Sequence, residues 1–191
     1  MGRILFVLIG TTVFEVAGLV TWMEFDARGK TGGLLILFAG LVLERLVVTG
    51  IPKSDAKSSA ADKTLTILGS AWWEYAAWAL WLTLIQRGAG PIGVLILVLF
   101  AGLHGQHCFN GSFQVSRTFG QLVRHPGVIL FSLIEAGGGA IWLALFTGSA
   151  VSNTVAHLVI GLAILIEHIV QGLVMNAINQ QGRMSQMGQL A

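Results

Sequence analysis

Six long apolar segments make up most of the 191-residue chain and restrict what it can fold into. Each segment has about 17–22 residues, enough for a helix to cross a hydrocarbon layer about 30 Å thick. Only 10% of the residues are charged and the mean hydropathy is +0.78, whereas a soluble domain carries about 25% charged residues. The sequence therefore predicts an all-α integral membrane protein that needs a lipid bilayer, with six transmembrane helices over residues 3–22, 33–50, 64–85, 91–111, 126–146 and 155–175.

The basic residues between these segments predict the orientation. Segments on one side of the predicted membrane hold Arg3, Lys53, Lys57, Lys63, Arg117, Arg124 and Arg183, and the other side holds Arg28, Lys30 and Arg87. By the positive-inside rule this imbalance places both termini in the cytoplasm. Loop charges also explain the pI near 9.0, so no nucleic-acid partner is expected. The first segment contains Glu15 and is too long for the apolar region of a signal peptide, so we expect it to remain as a membrane helix.

A shared pattern divides the six segments into three pairs. The first segment of each pair carries an acid followed seven residues later by tryptophan, at Glu15, Glu74 and Glu135. The second carries two adjacent polar residues, which are Glu44-Arg45, Gln106-His107 and Glu167-His168. The acid and the polar pair are 29 residues apart in the first unit and 32 in the other two. The pentapeptide Leu-Phe-Ala-Gly-Leu occurs at both 37–41 and 99–103.

These recurrences predict three tandem two-helix repeats, at residues 3–50, 64–111 and 126–176, around a pseudo-three-fold axis normal to the membrane. The whole chain, residues 1–191, then forms a single transmembrane domain, with a polar C-terminal tail at 177–191. Sites in proteins built from internal repeats often lie where the repeats meet. We therefore expect a functional site among the polar residues that the repeats share.

Those polar residues are predicted to occupy one layer inside the bilayer. Counted from the cytoplasmic ends of the helices, they lie roughly 8–18 Å deep. An ionised acid at such a depth costs about 2.5–3.5 kcal/mol on insertion scales. The acids are therefore expected to be protonated, paired, hydrated or bound to cations. The candidate metal ligands are Glu15, Glu44, Glu74, His104, His107, Glu135, Glu167 and His168.

Charge and donor type both favour a metal centre in this layer. The five acids carry five negative charges, Arg45 offsets one of them, and two divalent ions would balance the remainder. Carboxylate-rich di-iron and di-manganese sites use about four carboxylates and two histidines from facing helices. One feature departs from that pattern, because Glu167 and His168 are adjacent and so point about 100° apart around their helix. The predicted cofactor is a divalent metal, with two ions of iron, manganese or zinc.

Several functions remain open for such a layer. The leading interpretation is a membrane di-metal oxidoreductase that acts on a lipophilic substrate, a quinone or O2. A proton- or cation-coupled transporter or channel is an alternative, because buried acids and histidines carry protons and cations across bilayers. A metal-free lipid isomerase or cyclase would use a buried glutamate as general acid. A haem protein with His107 and His168 as ligands, and a subunit of a larger membrane complex, are further alternatives.

The remaining expectations concern loops and large side chains. Residues 23–32 are expected to form a polar outer loop, and residues 53–63 a polar inner loop. Arg45 is expected either to extend to the inner surface or to pair with Glu44 or Glu15. The tryptophans seven residues after the acids are expected to lie in the aromatic belt at the outer membrane surface.

Overall fold

The computed structural model describes residues 2–25, 27–48, 60–115, 117–148 and 151–187, and it contains helices but no strand in these ranges. The helices are α1 (Gly2–Glu24), α2 (Ala27–Val48), α3 (Ala60–Gln86), α4 (Ile92–Gln114), α5 (Phe119–Val123), α6 (Pro126–Thr147) and α7 (Asn153–Met187). In the described part, three helical stretches are long and apolar enough to cross a membrane, namely Ile92–Gln114, Pro126–Thr147 and Asn153–Gly182. The all-helical class is confirmed, and the composition of these helices fits a multi-pass membrane protein.

Consecutive long helices pair as antiparallel hairpins: α1 with α2, α3 with α4, and α6 with α7. Small residues allow the two helices of each hairpin to approach closely. A Cβ on Gly18 would lie 2.6 Å from the backbone nitrogen of Leu37, and one on Gly102 would lie 2.8 Å from the Cβ of Ala77. A Cβ on Gly138 would likewise collide with Ala163. Small residues serve the same purpose in membrane helix pairs, where close backbone packing replaces the hydrophobic effect.

The three hairpins close into a ring. Contacts between α2 and α3, between α4 and α6, and between α7 and α1 complete the order α1–α2–α3–α4–α6–α7. We call the end at which the two helices of each hairpin follow one another after only a few residues of sequence the hairpin end, and the opposite end the α5 end, because α5 packs there against α4 and α6. Arg45 and the large side chains of Trp78, Trp81, Trp142 and Phe131 fill the interior.

The distribution of polar and apolar side chains is the reverse of that in a soluble helical bundle. Large apolar side chains such as Leu65, Leu97 and Leu158 are 65–70% exposed on the outside. The interior holds fifteen buried polar or charged residues among those described, including five glutamates. Such a surface is compatible with a lipid bilayer, where apolar side chains are stable in contact with acyl chains.

Several local expectations differ from the structure. The predicted outer loop at 23–32 is mostly helical, because α2 begins at Ala27. A glycine lowers helix stability by about 1 kcal/mol relative to alanine. Gly33 nevertheless lies in α2, because it packs against the backbone of Trp22 and Gly18, where a Cβ would not fit. At the other end of the chain, α7 continues to Met187, so much of the predicted polar tail is helical. Lys53 and Lys57, in the predicted inner loop, lie outside the described residues.

The expected aromatic belt is wrong for two of its three tryptophans. Trp81 is 0% exposed and Trp142 is 1% exposed, so both rings belong to the core and not to the lipid-facing surface. The Trp142 indole N–H donates to His157 Nδ1 at 3.2 Å. These rings pack in the apolar cluster near the hairpin end, where they fill the space between the hairpins. In contrast, Trp72 is 60% exposed on the outside of α3.

Candidate metal centre

A single polar layer crosses the interior of the ring. Its side chains come from all six long helices, and each is at most 5% exposed. One turn toward the hairpin end, Leu41, Leu103 and Ile164 are 0–1% exposed and belong to the apolar core cluster. That cluster separates the layer from the hairpin end. The layer consists of Glu15, Glu44, Arg45, Glu74, Gln106, His107, Glu135, Glu167 and His168.

Two groups within the layer have the geometry to hold a metal ion. Triad 1 consists of Glu15 on α1, Glu44 on α2 and His168 on α7. In triad 1, His168 Nε2 lies 3.8 Å from Glu15 Oε1 and 3.6 Å from Glu44 Oε1. The ligand atoms lie within 4.8 Å of one another. A cation between them would be held by two carboxylates and one imidazole.

Triad 2 has the same composition on another side of the ring. It consists of His107 on α4, Glu135 on α6 and Glu167 on α7. His107 Nε2 lies 3.3 Å from Glu135 Oε2 and 3.4 Å from Glu167 Oε1. Both triads thus combine one imidazole nitrogen with two carboxylate oxygens, a donor set that suits zinc, iron and manganese.

Glu167 links the two triads. Its Oε1 faces His107 of triad 2, while its Oε2 lies 3.7 Å from His168 Nε2 of triad 1. A carboxylate that presents one oxygen to each of two neighbouring sites can bridge two ions. Glu167 and His168 are adjacent in the sequence, which departs from the familiar di-metal motif. Because adjacent residues point in different directions around the helix, His168 belongs to triad 1 and Glu167 to triad 2.

Hydrogen bonds on the far side of each imidazole orient its Nε2 toward the carboxylates. His107 Nδ1 lies 2.9 Å from Ser132 Oγ, and His168 Nδ1 lies 3.2 Å from Thr12 Oγ1. Ser132 has a single hydroxyl hydrogen, for which Val128 O at 2.8 Å and His104 Nδ1 at 3.1 Å already compete. His107 Nδ1 is therefore the donor, and in the neutral ring Nε2 carries the lone pair that a metal requires.

Three of the four triad carboxylates face these nitrogens with an oxygen that has no hydrogen-bond partner among the described residues, and the fourth, Glu44, faces His168 with the oxygen that Arg45 bonds. The three unpartnered oxygens are Glu15 Oε1, Glu135 Oε2 and Glu167 Oε1, all on side chains about 2% exposed. The other oxygen of Glu135, Oε1, accepts a hydrogen bond from Trp78 Nε1 at 3.2 Å. A buried anion is stable only when it is paired, coordinated or protonated. The unpartnered oxygens thus point into the two triads, where a bound cation would pair with them.

Apart from its two histidines, the described part of the layer contains one basic side chain, which is that of Arg45. Its Nη1 bonds Glu44 Oε1 at 2.7 Å, and its Nη2 bonds Glu74 Oε2. Of the two sequence-based alternatives, pairing is therefore the one observed, although Glu74 and not Glu15 is the second partner. Glu74 lies with Arg45 and outside both triads.

His104 also lies outside both triads. Its Nδ1 lies 3.1 Å from Ser132 Oγ, and its Nε2 lies 3.1 Å from the carbonyl oxygen of Val123 in α5. Both ring nitrogens are therefore engaged. Of the eight predicted ligands, six form the two triads, while Glu74 and His104 have other partners.

Four contacts of the site were not predicted, and they involve Thr12, Ser132, Trp78 and Gln106. A sequence signal existed for the two hydroxyls. Thr12 and Ser132 each stand three residues before an acid, and the corresponding position near Glu74 is Ala71. The hydroxyl thus occurs only where the facing residue is a histidine. Gln106 Nε2 donates to Ser70 Oγ at 3.2 Å, and nothing in the sequence indicated that pairing.

Comparison with known proteins gives no relative. No family model matches the chain, and neither a curated protein nor a solved structure matches it significantly. The site itself is thus the basis for a functional conclusion.

Proposed function

We propose that the chain is an integral membrane metalloprotein that binds two divalent ions, one in each triad, bridged by Glu167. The observation that carries the proposal is the convergence of one imidazole nitrogen and two buried carboxylates, twice, with Glu167 facing the histidines of both triads. Without a cation these atoms would repel one another in a medium of low dielectric constant. Two divalent ions and Arg45 together balance the five glutamates.

We further propose a redox role for the pair of ions, on a lipophilic substrate, a quinone or O2. The donor set of four carboxylates and two imidazoles supports it, because this set is typical of helical di-iron and di-manganese oxidoreductases. The ions would supply the redox chemistry. The chain's own residues would orient the ligands, through Ser132, Thr12 and Trp78, and exclude water on the hairpin side.

Buried polar groups on the α5 side of the layer support entry of small reactants from the α5 end. Asn110 is 1% exposed, about one turn from Gln106 toward the α5 end, and neither of its side-chain polar atoms has a hydrogen-bond partner among the described residues. Gln171 is also buried, one turn beyond Glu167 on α7. On the hairpin side, the layer instead meets apolar side chains. This one-sided polarity favours an enzyme over a transporter, which needs access from both faces.

The proposal includes a membrane arrangement with all six long helices crossing the bilayer as one domain. The lengths of α1, α2 and α3, at 23, 22 and 27 residues, support six spans, and the basic residues predicted on one side support cytoplasmic termini. Corresponding positions support three repeats around a pseudo-three-fold axis. Seven residues before the polar pairs, Leu37, Leu99 and Ile160 are all 0–1% exposed.

The hairpin contacts also support the repeat and explain its irregular member. Ala77 meets Gly102 in the second hairpin, and Gly138 meets Ala163 at the corresponding positions of the third. In the first hairpin, Gly18 instead meets Leu37, three residues earlier than the corresponding Gly40. The shift equals the three residues by which the first unit is shorter.

Metal analysis of detergent-purified protein tests the proposal. Elemental mass spectrometry on protein prepared without chelator is expected to find about two equivalents of iron, manganese or zinc per chain. An absorbance spectrum of the same sample separates non-haem metal from haem by the Soret band. Protein that contains no metal, and takes up none when supplied with Fe2+, Mn2+ or Zn2+, would refute the metalloprotein.

A further inference from the structure

One contact pattern recurs at the three interfaces between hairpins. In each case, the second residue of a polar pair faces the acid on the first helix of the next hairpin. His107 Nε2 lies 3.3 Å from Glu135 Oε2, and His168 Nε2 lies 3.8 Å from Glu15 Oε1. At the third interface, Arg45 Nη2 bonds Glu74 Oε2. Arg45 thus stands where the other two interfaces have a metal-binding histidine.

The third interface differs from the triads in a second, compensating way. Glu44 and Glu167 are the first residues of their polar pairs, and the corresponding residue of the second repeat is Gln106, whose amide contacts Ser70 on α3. Gln106 is 0% exposed, and its Oε1 has no hydrogen-bond partner among the described residues. This interface therefore has one carboxylate where each triad has two. The change from histidine to arginine and the change from glutamate to glutamine occur together.

Local charge balance explains why these two differences occur together. Each triad has two carboxylates, which one divalent ion neutralises. The third interface has one carboxylate, Glu74, which the guanidinium of Arg45 neutralises, since this group stays protonated in proteins. Each of the three interfaces is then neutral, as burial in a low-dielectric interior requires.

We propose that Arg45 is the resident cation of the third interface, that it occupies the place of a metal ion, and that it limits the layer to two ions. This inference rests on the proposed metal function. Arg45 also contacts triad 1, because Glu44 Oε1 is shared between Arg45 Nη1 at 2.7 Å and His168 Nε2 at 3.6 Å. The guanidinium therefore holds one ligand of triad 1 in place.

The double variant Arg45→His/Gln106→Glu tests the inference by rebuilding the third interface as a triad. Purified protein is titrated with Mn2+, and bound and free ion are separated by electron paramagnetic resonance. The wild-type chain is expected to bind two ions and the double variant three. Arg45→Lys, which keeps the positive charge, is the matched control and is expected to bind two.

The outcomes separate this inference from the proposed function. A wild-type chain that binds no divalent ion refutes both. Two ions in the wild type and two in a folded double variant overturn the role of Arg45 alone. If the double variant does not fold, Gln106→Glu decides, because it supplies the second carboxylate while Arg45 stays in place. It is expected to bind two ions, since Arg45 still occupies the position of the third, and a third Mn2+ in this variant would overturn the inference.

Discussion

Triads 1 and 2 share a ligand set but differ in what surrounds it. In triad 2, Glu135 accepts a hydrogen bond from Trp78. The His107 ring packs edge-on against that of Phe131, with 4.7 Å between the ring centroids. In triad 1, His168 has the hydroxyl of Thr12, and Glu44 is shared with Arg45. The comparison indicates that one geometry can be supported by different neighbours. It predicts that some substitutions affect both ions and others only one.

Glu167→Gln is expected to have the largest effect, because Glu167 is the one residue whose carboxylate faces the histidines of both triads. Outer-shell changes already lower metal affinity by about 10–100-fold, so loss of a bridging charge should weaken both ions by more than about 100-fold. Metal content is expected to fall from about two ions per chain toward none. Gln171→Met, one turn further along α7, is the control and should retain both ions. A Glu167→Gln chain with two tightly bound ions would rule out the bridge.

Ser132→Ala and Thr12→Val are each expected to weaken the binding of one ion and to leave the other unchanged. Each removes the hydroxyl behind one histidine, so Ser132→Ala should weaken the triad 2 ion by about 10–100-fold and Thr12→Val the triad 1 ion similarly. Mn2+ titration would resolve one weakened and one unchanged site in each variant. Ser70→Ala removes another buried hydroxyl, whose partner is Gln106 and not a histidine. Equal losses in all three variants would indicate a general packing defect.

Trp78→Phe is expected to have a smaller effect, confined to triad 2. It removes the indole N–H that holds Glu135, and a hydrogen bond to a charged group contributes about 1.5–3 kcal/mol, or roughly tenfold or more in affinity. Trp81→Phe is a close control, since its ring is also buried and lies 5.7 Å from that of Trp78, while its Nε1 has no hydrogen-bond partner among the described residues. A similar loss in both variants would assign the effect to ring volume.

The smallest expected effect is on stability, and it comes from the contact between Glu24 and His157. This contact lies at the hairpin end of the interface between α1 and α7, the same interface that contains Glu15 and His168 of triad 1. Glu24 Oε1 lies 2.9 Å from His157 Nε2 and accepts from Asn153 Nδ2 at 3.1 Å. The hydrogen bond from His157 lowers the pKa of Glu24 below its usual 4.5. Because the pKa is lower in the folded state than in the unfolded state, the ionised carboxylate stabilises the fold at pH values above the ordinary pKa. This contribution is lost as pH falls through the lowered value.

Thermal unfolding of Glu24→Gln beside the wild type measures this contribution. The wild type is expected to be more stable by less than about 1 kcal/mol near neutral pH, because the pair is partly exposed. The difference should shrink as pH falls from the usual glutamate pKa of 4.5 through the lowered pKa of the folded state. A difference that stays constant over this range would mean that the carboxylate charge is not responsible.

The sequence predicted that the polar residues share one layer, but not how they pair within it. The position of each polar residue along its apolar segment determines its height along the helix, because the helical rise is fixed. Pairing depends on how the helices rotate and on which hairpins are neighbours, so the partners of Arg45 and Glu74 were not predictable. His104 was expected in the ligand set because it shares a helix face with His107, but α5 supplies Val123 as its partner.

Large aromatic side chains show a second limit. Trp81 and Trp142 stand near the ends of their predicted spans, which is typical of an aromatic belt. A one-dimensional pattern gives height along the helix and not direction around it, and the ring of hairpins turns both residues inward. The same rotation brings Trp78 to Glu135, an acid 57 residues away in the sequence.

Metal content of the wild type beside Glu15→Gln and Glu135→Gln tests the central claim most directly. Each substitution removes a ligand of one triad and leaves Glu167 intact. Two separate but linked sites predict about two ions in the wild type, about one in each single variant and none in the double variant. Wild-type protein without metal after supply of Fe2+, Mn2+ or Zn2+, or single variants that keep both ions, would contradict the account.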